Sequence, residues 1–242
     1  AKAVVEISNH CRERCAYCGM CRDNRDLRRY RARVDSLTDL ILRDRPACVT
    51  DINLQGGEDP VAAREVALPL VRALKEEGAL GVGVSLGCLD PGLHRDLRDA
   101  GAEVCILKFE CADPGEYARY RAPGTLEERL GRIRRLAAEG WAVTSGFIAG
   151  LPGQEPSSLA ANLDLAASLP VRGCSVSPFI PGESTPLADC APGNADWTLN
   201  CMAALRLMRP DWIIPAVSAL HLTGPESYRR GLRAGANLVT IN

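Results

Sequence analysis

Four cysteines in one short segment are the residues of this sequence whose types and spacing could do chemistry. Cys11, Cys15 and Cys18 are spaced C-x3-C-x2-C, and Cys15, Cys18 and Cys21 are spaced C-x2-C-x2-C. Cysteines pair in disulfides, bind zinc and ligate iron–sulfur clusters, so three kinds of site are open. A disulfide framework fits poorly, because no signal peptide is visible and the chain is expected in a reducing cytoplasm.

Zinc and an iron–sulfur cluster make different demands on spacing. A four-cysteine zinc site usually takes two C-x2-C pairs from separated segments, and the sequence offers no second pair of that spacing. Three thiolates on one loop can instead hold three corners of a cubane cluster and leave the fourth iron open to a ligand. Either of the two overlapping sets of three could do this, the second as in ferredoxin-type loops.

Hydrophobic patterning predicts eight strands that alternate with seven helices. The strands are expected at 3–9, 49–55, 81–87, 103–110, 142–150, 173–180, 212–220 and 237–242, and the helices at 36–43, 61–77, 92–99, 126–139, 157–168, 196–207 and 226–234. This alternation predicts an α/β fold with a parallel sheet, and eight strands are the number that closes a (β/α)8 TIM-type barrel. An open doubly wound sheet is the alternative. Four helices are expected to stop at glycine, at Gly78, Gly101, Gly140 and Gly235.

The polar and glycine-rich segments gather where the predicted strands end. The cysteines follow strand 1, QGGEDP follows strand 2, and SLG, KFE and GLPGQ end or follow strands 3, 4 and 5. These are the carboxyl ends of the strands, where barrel enzymes keep their active sites. This convergence predicts an enzyme, and an electron-transfer iron–sulfur protein is the alternative outside enzymes.

Composition limits the range of partners. The formal net charge is −1, and no apolar run approaches the ~20 residues of a membrane helix. We therefore expect neither a nucleic acid nor a membrane as partner. Residues 1–242 show no linker composition, so we expect one barrel domain. The chain opens without Met and stops inside a predicted strand, so we expect a fragment that lacks N- and C-terminal extensions.

The C-x3-C-x2-C motif directly after the first strand of a predicted barrel resembles the radical S-adenosylmethionine superfamily. Tyr17, just before the last of the three cysteines, stands where that superfamily usually has an aromatic residue near the adenine. The resemblance implies that Cys11, Cys15 and Cys18 ligate a 4Fe–4S cluster. Its open iron would chelate S-adenosyl-L-methionine, and one-electron reduction would give a 5′-deoxyadenosyl radical. Cys21 is then expected to be a bystander.

The same resemblance implies further cofactor contacts. They are Gly56, Gly57, Glu58 and Asp59 of GGED, Ser85 of SLG, Lys108 and Glu110 of KFE, Arg129, and Ile148 and Gly150 of GFIAGLPG. Glu58 is expected to accept from the amino group and Arg129 to hold the carboxylate of the methionine moiety, while residues 146–153 border the adenine. For Lys108 and Glu110 a buried ion pair is the alternative. The basic run 22–33 attracts an anionic substrate or an electron donor, or is an arm packed over the cysteine loop.

Within the superfamily the sequence resembles the biotin-synthase-like branch, most closely the maturase family of iron–iron hydrogenase and next methylornithine synthase. This implies a small-molecule substrate, a one-electron donor such as flavodoxin or ferredoxin, and other maturation proteins as partners. The maturase pattern is not kept at Lys108, Phe109, Cys111 and Val217, so another small, anionic, amino-acid-like substrate is an alternative. In biotin synthase cysteines and an arginine hold a second cluster in the barrel. The matching positions are Gly83, Thr144, Pro215 and either Ile52 or Asn53, so we expect no second cluster here.

Overall fold

Eight parallel strands form the frame of the molecule in this computed structural model, which describes residues 1–78, 80–121 and 123–241. They are β1 (Lys2–Ser8), β2 (Asp51–Gly56), β3 (Gly81–Ser85), β4 (Val104–Ile106), β5 (Ala142–Ala149), β6 (Gly173–Pro178), β7 (Pro215–Ala216) and β8 (Leu238–Ile241). Neighbouring strands pair in the order β6-β5-β4-β3-β2-β1-β8-β7. The first strand therefore pairs with the last, with Lys2 opposite Thr240.

The two ends of this sheet meet and nearly close it into a barrel. The N–H of Cys174 in β6 donates to the carbonyl of Ile213 at 3.1 Å, and the N–H of Ile213 donates to the carbonyl of Arg172 at 3.0 Å. Ile213 lies two residues before β7, so a single bridge joins β6 to the β7 segment. The predicted (β/α)8 barrel is confirmed, and the open doubly wound sheet is wrong.

Helices follow the strands as the alternation predicts. They are α1 (Val34–Asp44), α2 (Pro60–Ala62), α3 (Leu68–Glu76), α4 (Pro91–Asp99), α5 (Pro114–Arg121), α6 (Leu126–Ala138), α7 (Pro156–Ser168), α8 (Ala195–Met208) and α9 (Ser227–Arg233). Side chains cap several starts; Thr125 and Glu128 form a reciprocal capping box on α6. The four glycines expected to end helices all have positive φ, between 88° and 114°, which residues with a Cβ rarely adopt.

Two helical predictions differ from the structure. The single helix expected at 61–77 is divided, because a π-helical turn, Ala63–Ala67, separates α2 from α3. Pro69 follows this turn; its ring nitrogen cannot donate the usual hydrogen bond, so the helix widens ahead of it. Helix α5 was not predicted, because its eight residues begin with Pro-Gly and contain few apolar side chains.

Two strand predictions are much too long. The strand expected at 103–110 ends at Ile106, and a bulge follows in which the N–H groups of Phe109 and Glu110 both donate to the carbonyl of Gly146. The strand expected at 212–220 is only two residues long, since Pro215 removes a ladder donor and a 3-10 helix, Ser218–Thr223, follows. For the strand expected at 237–242, β8 is confirmed, and Asn242 lies outside the described residues.

Alternation along the strands separates an apolar layer from an interior that mixes polar and apolar side chains. Val176 of β6 is fully buried in the layer between sheet and helices, whereas Ser175 and Ser177 line the barrel cavity. Each leucine or valine buried in that layer stabilises the fold by about 1.5–3 kcal/mol relative to an exposed one. None of the helices in the described ranges combines the length and the apolar composition needed to cross a membrane.

Candidate active site

The loop after β1 carries the four cysteines over the carboxyl end of the barrel. Cys15 and Cys21 are buried, and Cys11 and Cys18 are partly exposed. Tight turns shape the loop, since the N–H of Cys18 donates to the carbonyl of Cys15 at 3.2 Å and that of Cys21 to Cys18 at 2.9 Å. The Cys11 Sγ accepts from the backbone N–H of Glu58 at 3.3 Å, which ties the loop to the end of β2.

Arg29 holds the cysteine loop from outside. Its guanidinium donates to four backbone carbonyls, those of Asn9, Met20, Cys21 and Asn24, at 2.5–3.0 Å. A cation that satisfies several carbonyls fixes loop backbone that has no ladder partners of its own. This agrees with the interpretation of the basic run 22–33 as an arm packed over the loop.

Gly56 and Gly57 let the end of β2 approach the cysteine loop closely. A Cβ at Gly57 would overlap the carbonyl group of His10 and would lie 2.7 Å from the Cβ of Cys11, and one at Gly56 would lie 3.0 Å from the carbonyl oxygen of Ser8. Backbone groups cannot swing aside as a flexible side chain can. Glycine is therefore required at Gly57 by close approach.

Glu58 follows these glycines and is 5% exposed. Its Oε1 accepts from the Arg12 Nε at 2.7 Å, and its Oε2 accepts from the N–H of Cys88 at 2.7 Å. Gly87 makes room for this carboxylate, because a Cβ there would overlap Glu58 Oε2, and its φ is +76°. The predicted amino-group acceptor is thus a buried carboxylate whose partners within the described residues are one guanidinium and one N–H.

Asp59 has structural partners on both oxygens. It caps α2 through the N–H of Val61, accepts from the Ser8 Oγ at 2.8 Å, and binds Arg31 at 2.7 and 3.1 Å. Burial would raise the pKa of Asp59, but the hydrogen bonds from Arg31 and Ser8 outweigh it and hold the pKa below its usual value. The contacts of this predicted cofactor residue anchor the basic arm to the barrel.

Arg129 on α6 is 5% exposed rather than on a solvated face. Its Nη1 donates to the Cys88 Sγ at 2.9 Å, and its buried Nε has no hydrogen-bond partner among the described residues. No salt bridge joins this guanidinium to a carboxylate in the part of the chain that the structure describes. A buried cation so poorly paired is costly, and an anionic ligand would offset that cost.

Lys108 and Glu110 follow β4 and form an ion pair at 3.0 Å between Nζ and Oε2. Lys108 also donates to the Ser177 Oγ of β6 at 3.2 Å. Glu110 has a φ of +70°, which belongs to the bulge and is rare for a residue with a side chain. The ion pair weighed in the sequence analysis is therefore present, and it leaves Lys108 on the wall of the cavity.

Tyr17 and Ile148 share a small apolar cluster beneath the cysteine loop. Ile148 is buried there with Tyr120, Leu151 and Phe179, and Tyr17 packs against them. The Tyr17 hydroxyl is buried beside the guanidinium of Arg121, and burial raises the pKa of Tyr17 well above the usual value. The N–H of Gly150 donates to Gln154 Oε1 at 2.7 Å, so the predicted adenine-side segment is fixed by its own chain.

The cavity inside the barrel has a volume of about 540 Å³. Ser85, Lys108 and Ser177 line it at the carboxyl end. The positions compared with the second cluster of biotin synthase line it as well, namely Gly83, Thr144, Pro215, Ile52 and Asn53. Small polar side chains on this wall give a small molecule several hydrogen-bonding groups, and Lys108 adds a cation at the carboxyl end.

The thiols differ in how easily they ionise. Burial raises the pKa of Cys15 to about 12, against the opposing influence of Arg121. Loss of solvent also raises the pKa of Cys18, and Cys11 adds to that shift. No three Cys, His, Asp or Glu side chains within residues 1–78, 80–121 and 123–241 could hold one metal ion together. A cubane does not require such convergence, because each thiolate binds a different iron.

These residues fit the implied cofactors. Three thiols in one loop can serve as cluster ligands. Glu58, which contacts Cys11 through its N–H, and Arg129 present opposite charges on the two sides of Cys88. The sequence analysis missed Cys88 and Arg12, which meet at Glu58, and Ser177, which meets Lys108. It also missed Arg121, although Tyr117, Tyr120 and Arg121 are spaced i, i+3, i+4 and so share one face of α5.

Fold and site together define a parallel α/β barrel with a thiol loop at its carboxyl mouth. The profile of the Radical SAM superfamily matches residues 5–166, and the chain belongs to that superfamily. Its members are enzymes that use a 4Fe–4S cluster and S-adenosylmethionine.

Relatives in the superfamily cover nearly the whole chain. FeFe hydrogenase maturase subunit HydE of Thermotoga maritima is 33% identical over 241 residues, which are 100% of this chain and 69% of that protein. The 3-methylornithine synthase of Methanosarcina barkeri is 28% identical over 98% of this chain and 67% of its own length. The crystal structure of methylornithine synthase (PylB) superposes with a TM-score of 0.87 and 26% identity, over 99% of this chain and 70% of that one.

Proposed function

We propose that this chain binds a 4Fe–4S cluster through Cys11, Cys15 and Cys18 and acts with S-adenosyl-L-methionine on a small molecule in the barrel cavity. When bound, the two cofactors supply reductive cleavage of the sulfonium and a 5′-deoxyadenosyl radical. The observation that carries this proposal is the pair Glu58 and Arg129, which both bind Cys88 beside the cysteine loop. A buried anion and a buried cation around one residue suit a zwitterionic amino-acid end.

The contacts of these two residues support separate roles. Glu58 would accept from the amino group in place of Arg12, whose side chain is 51% exposed and can turn into water. Arg129 would bind the carboxylate, which would give its buried Nε the partner it lacks among the described residues. Each is a charge-assisted hydrogen bond in a site with little water.

The packing of side chains at the carboxyl end of the barrel supports a binding site for the adenosyl group of S-adenosylmethionine. Tyr17 and Ile148 offer apolar surface next to the cysteine loop, and the N–H of Gly150 is held by Gln154. An aromatic and an aliphatic face can cover a planar base and keep water from the reacting atoms.

The cavity supports a small, anionic, amino-acid-like substrate. Its volume of about 540 Å³ lies within the range of about 300–1,000 Å³ for small-molecule sites. Lys108 supplies a cation and Ser177 a hydroxyl at hydrogen-bond distance from it. A carboxylate bound at Lys108 would compete with Glu110 for its charge.

Hydrogenase maturation is the reaction we propose for this site, with methylornithine synthesis as the second candidate. Identity to HydE of 33% over the whole chain favours the first, and the TM-score of 0.87 with methylornithine synthase favours the second. About a third of each curated relative lies outside the match. We also propose flavodoxin or ferredoxin as electron donor, other maturation proteins as partners, and a reducing cytoplasm, which the eleven free cysteines support.

The test is S-adenosylmethionine cleavage by the anaerobically reconstituted chain with dithionite as reductant. We expect 5′-deoxyadenosine from the wild type and from Cys21→Ala, and none from Cys11→Ala, Cys15→Ala or Cys18→Ala. Loss of the cluster in Cys21→Ala with retention in Cys11→Ala would contradict the ligand assignment. Activation of an FeFe hydrogenase in a maturation assay would support the first reaction, and 3-methylornithine as product the second.

A further inference from the structure

The carboxyl end of α5 packs directly on the cysteine loop. The N–H of Ala16, between Cys15 and Cys18, donates to the carbonyl of Tyr120 at 2.9 Å. Arg121 is the next residue and is 8% exposed. A long cationic side chain is therefore buried at the point where α5 meets the loop that carries the three proposed ligands.

Within the described residues, the buried guanidinium of Arg121 has weak partners: the Tyr17 hydroxyl lies beside it, and Glu13 makes a long contact. The Arg121 Nη2 lies 3.4 Å from Glu13 Oε2, and the Arg121 Nε is buried without a hydrogen-bond partner within the described residues. The guanidinium carbon lies 5.9 Å from the centre of the Tyr117 ring. Burial of a charge with so little compensation is costly, so the site is built for more negative charge than Glu13 supplies.

The surroundings of Arg121 indicate where that charge belongs. The Nη2 of Arg121 contacts Glu13, which lies between Cys11 and Cys15 in the loop. The preceding residue, Tyr120, accepts from the N–H of Ala16, the residue directly after Cys15. The guanidinium therefore lies against the segment of the loop that carries these two cysteines.

A cluster held by three thiolates carries a net negative charge, and reduction adds one more. Reduction potentials of such clusters depend on net charge, hydrogen bonds to sulfur and solvent exposure. A buried cation stabilises the reduced state more than the oxidised state, and low solvent access makes the effect stronger than at a surface.

We propose that Arg121 raises the reduction potential of the cluster bound by the loop of Cys11, Cys15 and Cys18, which makes the one-electron step easier for a donor. This inference rests on the proposed function. It assigns Arg121 to the electron-transfer step, separate from the contacts of Glu58 and Arg129 with S-adenosylmethionine.

The test is a redox titration of the reconstituted protein, followed by electron paramagnetic resonance in the absence of S-adenosylmethionine. We expect R121Q to have a more negative midpoint potential than the wild type, and R121K, which keeps the charge, to lie between the two. Arg119 is the matched control, because it lies on the same helix but is exposed. R119Q removes the same charge and should leave the potential unchanged.

Other outcomes would overturn the inference. One is an unchanged reduction potential in R121Q at full iron content. Another is weaker S-adenosylmethionine binding by R121Q at an unchanged potential, which would show that Arg121 contacts the ligand. If R121Q does not assemble a cluster, E13Q decides: without Glu13 the potential should become more positive, and an unchanged value refutes the role. A wild type that binds no cluster would refute the proposed function, whereas S-adenosylmethionine cleavage with an unshifted R121Q refutes this inference alone.

Discussion

Arg129→Met should weaken S-adenosylmethionine binding and leave the empty protein as stable as before, or more stable. The guanidinium is 5% exposed and has one thiol partner, at 2.9 Å. Loss of one charge-assisted hydrogen bond to the ligand carboxylate costs about 1.5–3 kcal/mol, which weakens binding roughly 10- to 150-fold. Replacing a poorly paired buried charge by an apolar side chain of similar length is neutral or stabilises by about 1–4 kcal/mol.

Two measurements on the same variant separate these effects. Calorimetric titration of the reconstituted protein gives the affinity, and urea unfolding of the cluster-free protein gives the free energy of unfolding. Arg134→Met is the control, since Arg134 is on the same helix and exposed; it should change neither quantity. Unchanged affinity in Arg129→Met would refute the carboxylate assignment. A loss of stability above about 1 kcal/mol would show instead that Arg129 holds the fold together.

Two substitutions and one iron analysis test the rest of the site. Gly57→Ala should lower the melting temperature and the iron content, because its Cβ overlaps the backbone of the cysteine loop, whereas Gly124→Ala, with open space around it, should not. The pKa of Asp59 is lowered in the folded state, so its stabilisation is complete above about pH 4 and is lost as the pH falls through the folded pKa. The free energies of unfolding of wild type and Asp59→Asn should therefore converge at acid pH; a constant difference would contradict this. Iron analysis should give about four atoms per chain, as one cubane requires; about six would reveal a second cluster.

Much of the fold could be predicted because its periodicity is local. Strands and helices of regular length repeat their pattern within a few residues, and glycines such as Gly140 end helices through their own φ. The predicted strand boundaries are wrong where contacts with residues distant in sequence determine the backbone conformation. The bulge at Glu110 depends on the carbonyl of Gly146 in the next strand. The shortness of β7 has a local cause in Pro215, but the bridge from Ile213 to β6 that closes the barrel depends on distant residues.

The candidate site also has parts that local sequence predicts and parts that depend on contacts between distant residues. The spacing of the cysteines and the GGED element could be identified from the sequence because neighbouring residues carry the signal. Cys88 could not, because its importance lies in contacts with Glu58 and Arg129, 30 and 41 residues away. Arg121 shares a helix face with Tyr117 and Tyr120, but the sequence does not show that this face packs on the cysteine loop, where Arg121 is buried and Arg119 is exposed.

Glu110 joins the two halves of the proposed site. On one side it pairs with Lys108 on the wall of the cavity at 3.0 Å. On the other it contributes to the electrostatic environment of Cys15 and Arg121. A substrate anion that took Lys108 would leave the carboxylate of Glu110 less compensated, and its negative charge would then act more strongly on the cysteine loop. A substrate bound in the barrel would therefore change the electrostatic potential at the proposed cluster through Glu110. A substitution such as Lys108→Arg should therefore be tested in two ways: by the reduction potential of the cluster bound to the cysteine loop, and by the substrate that the variant accepts.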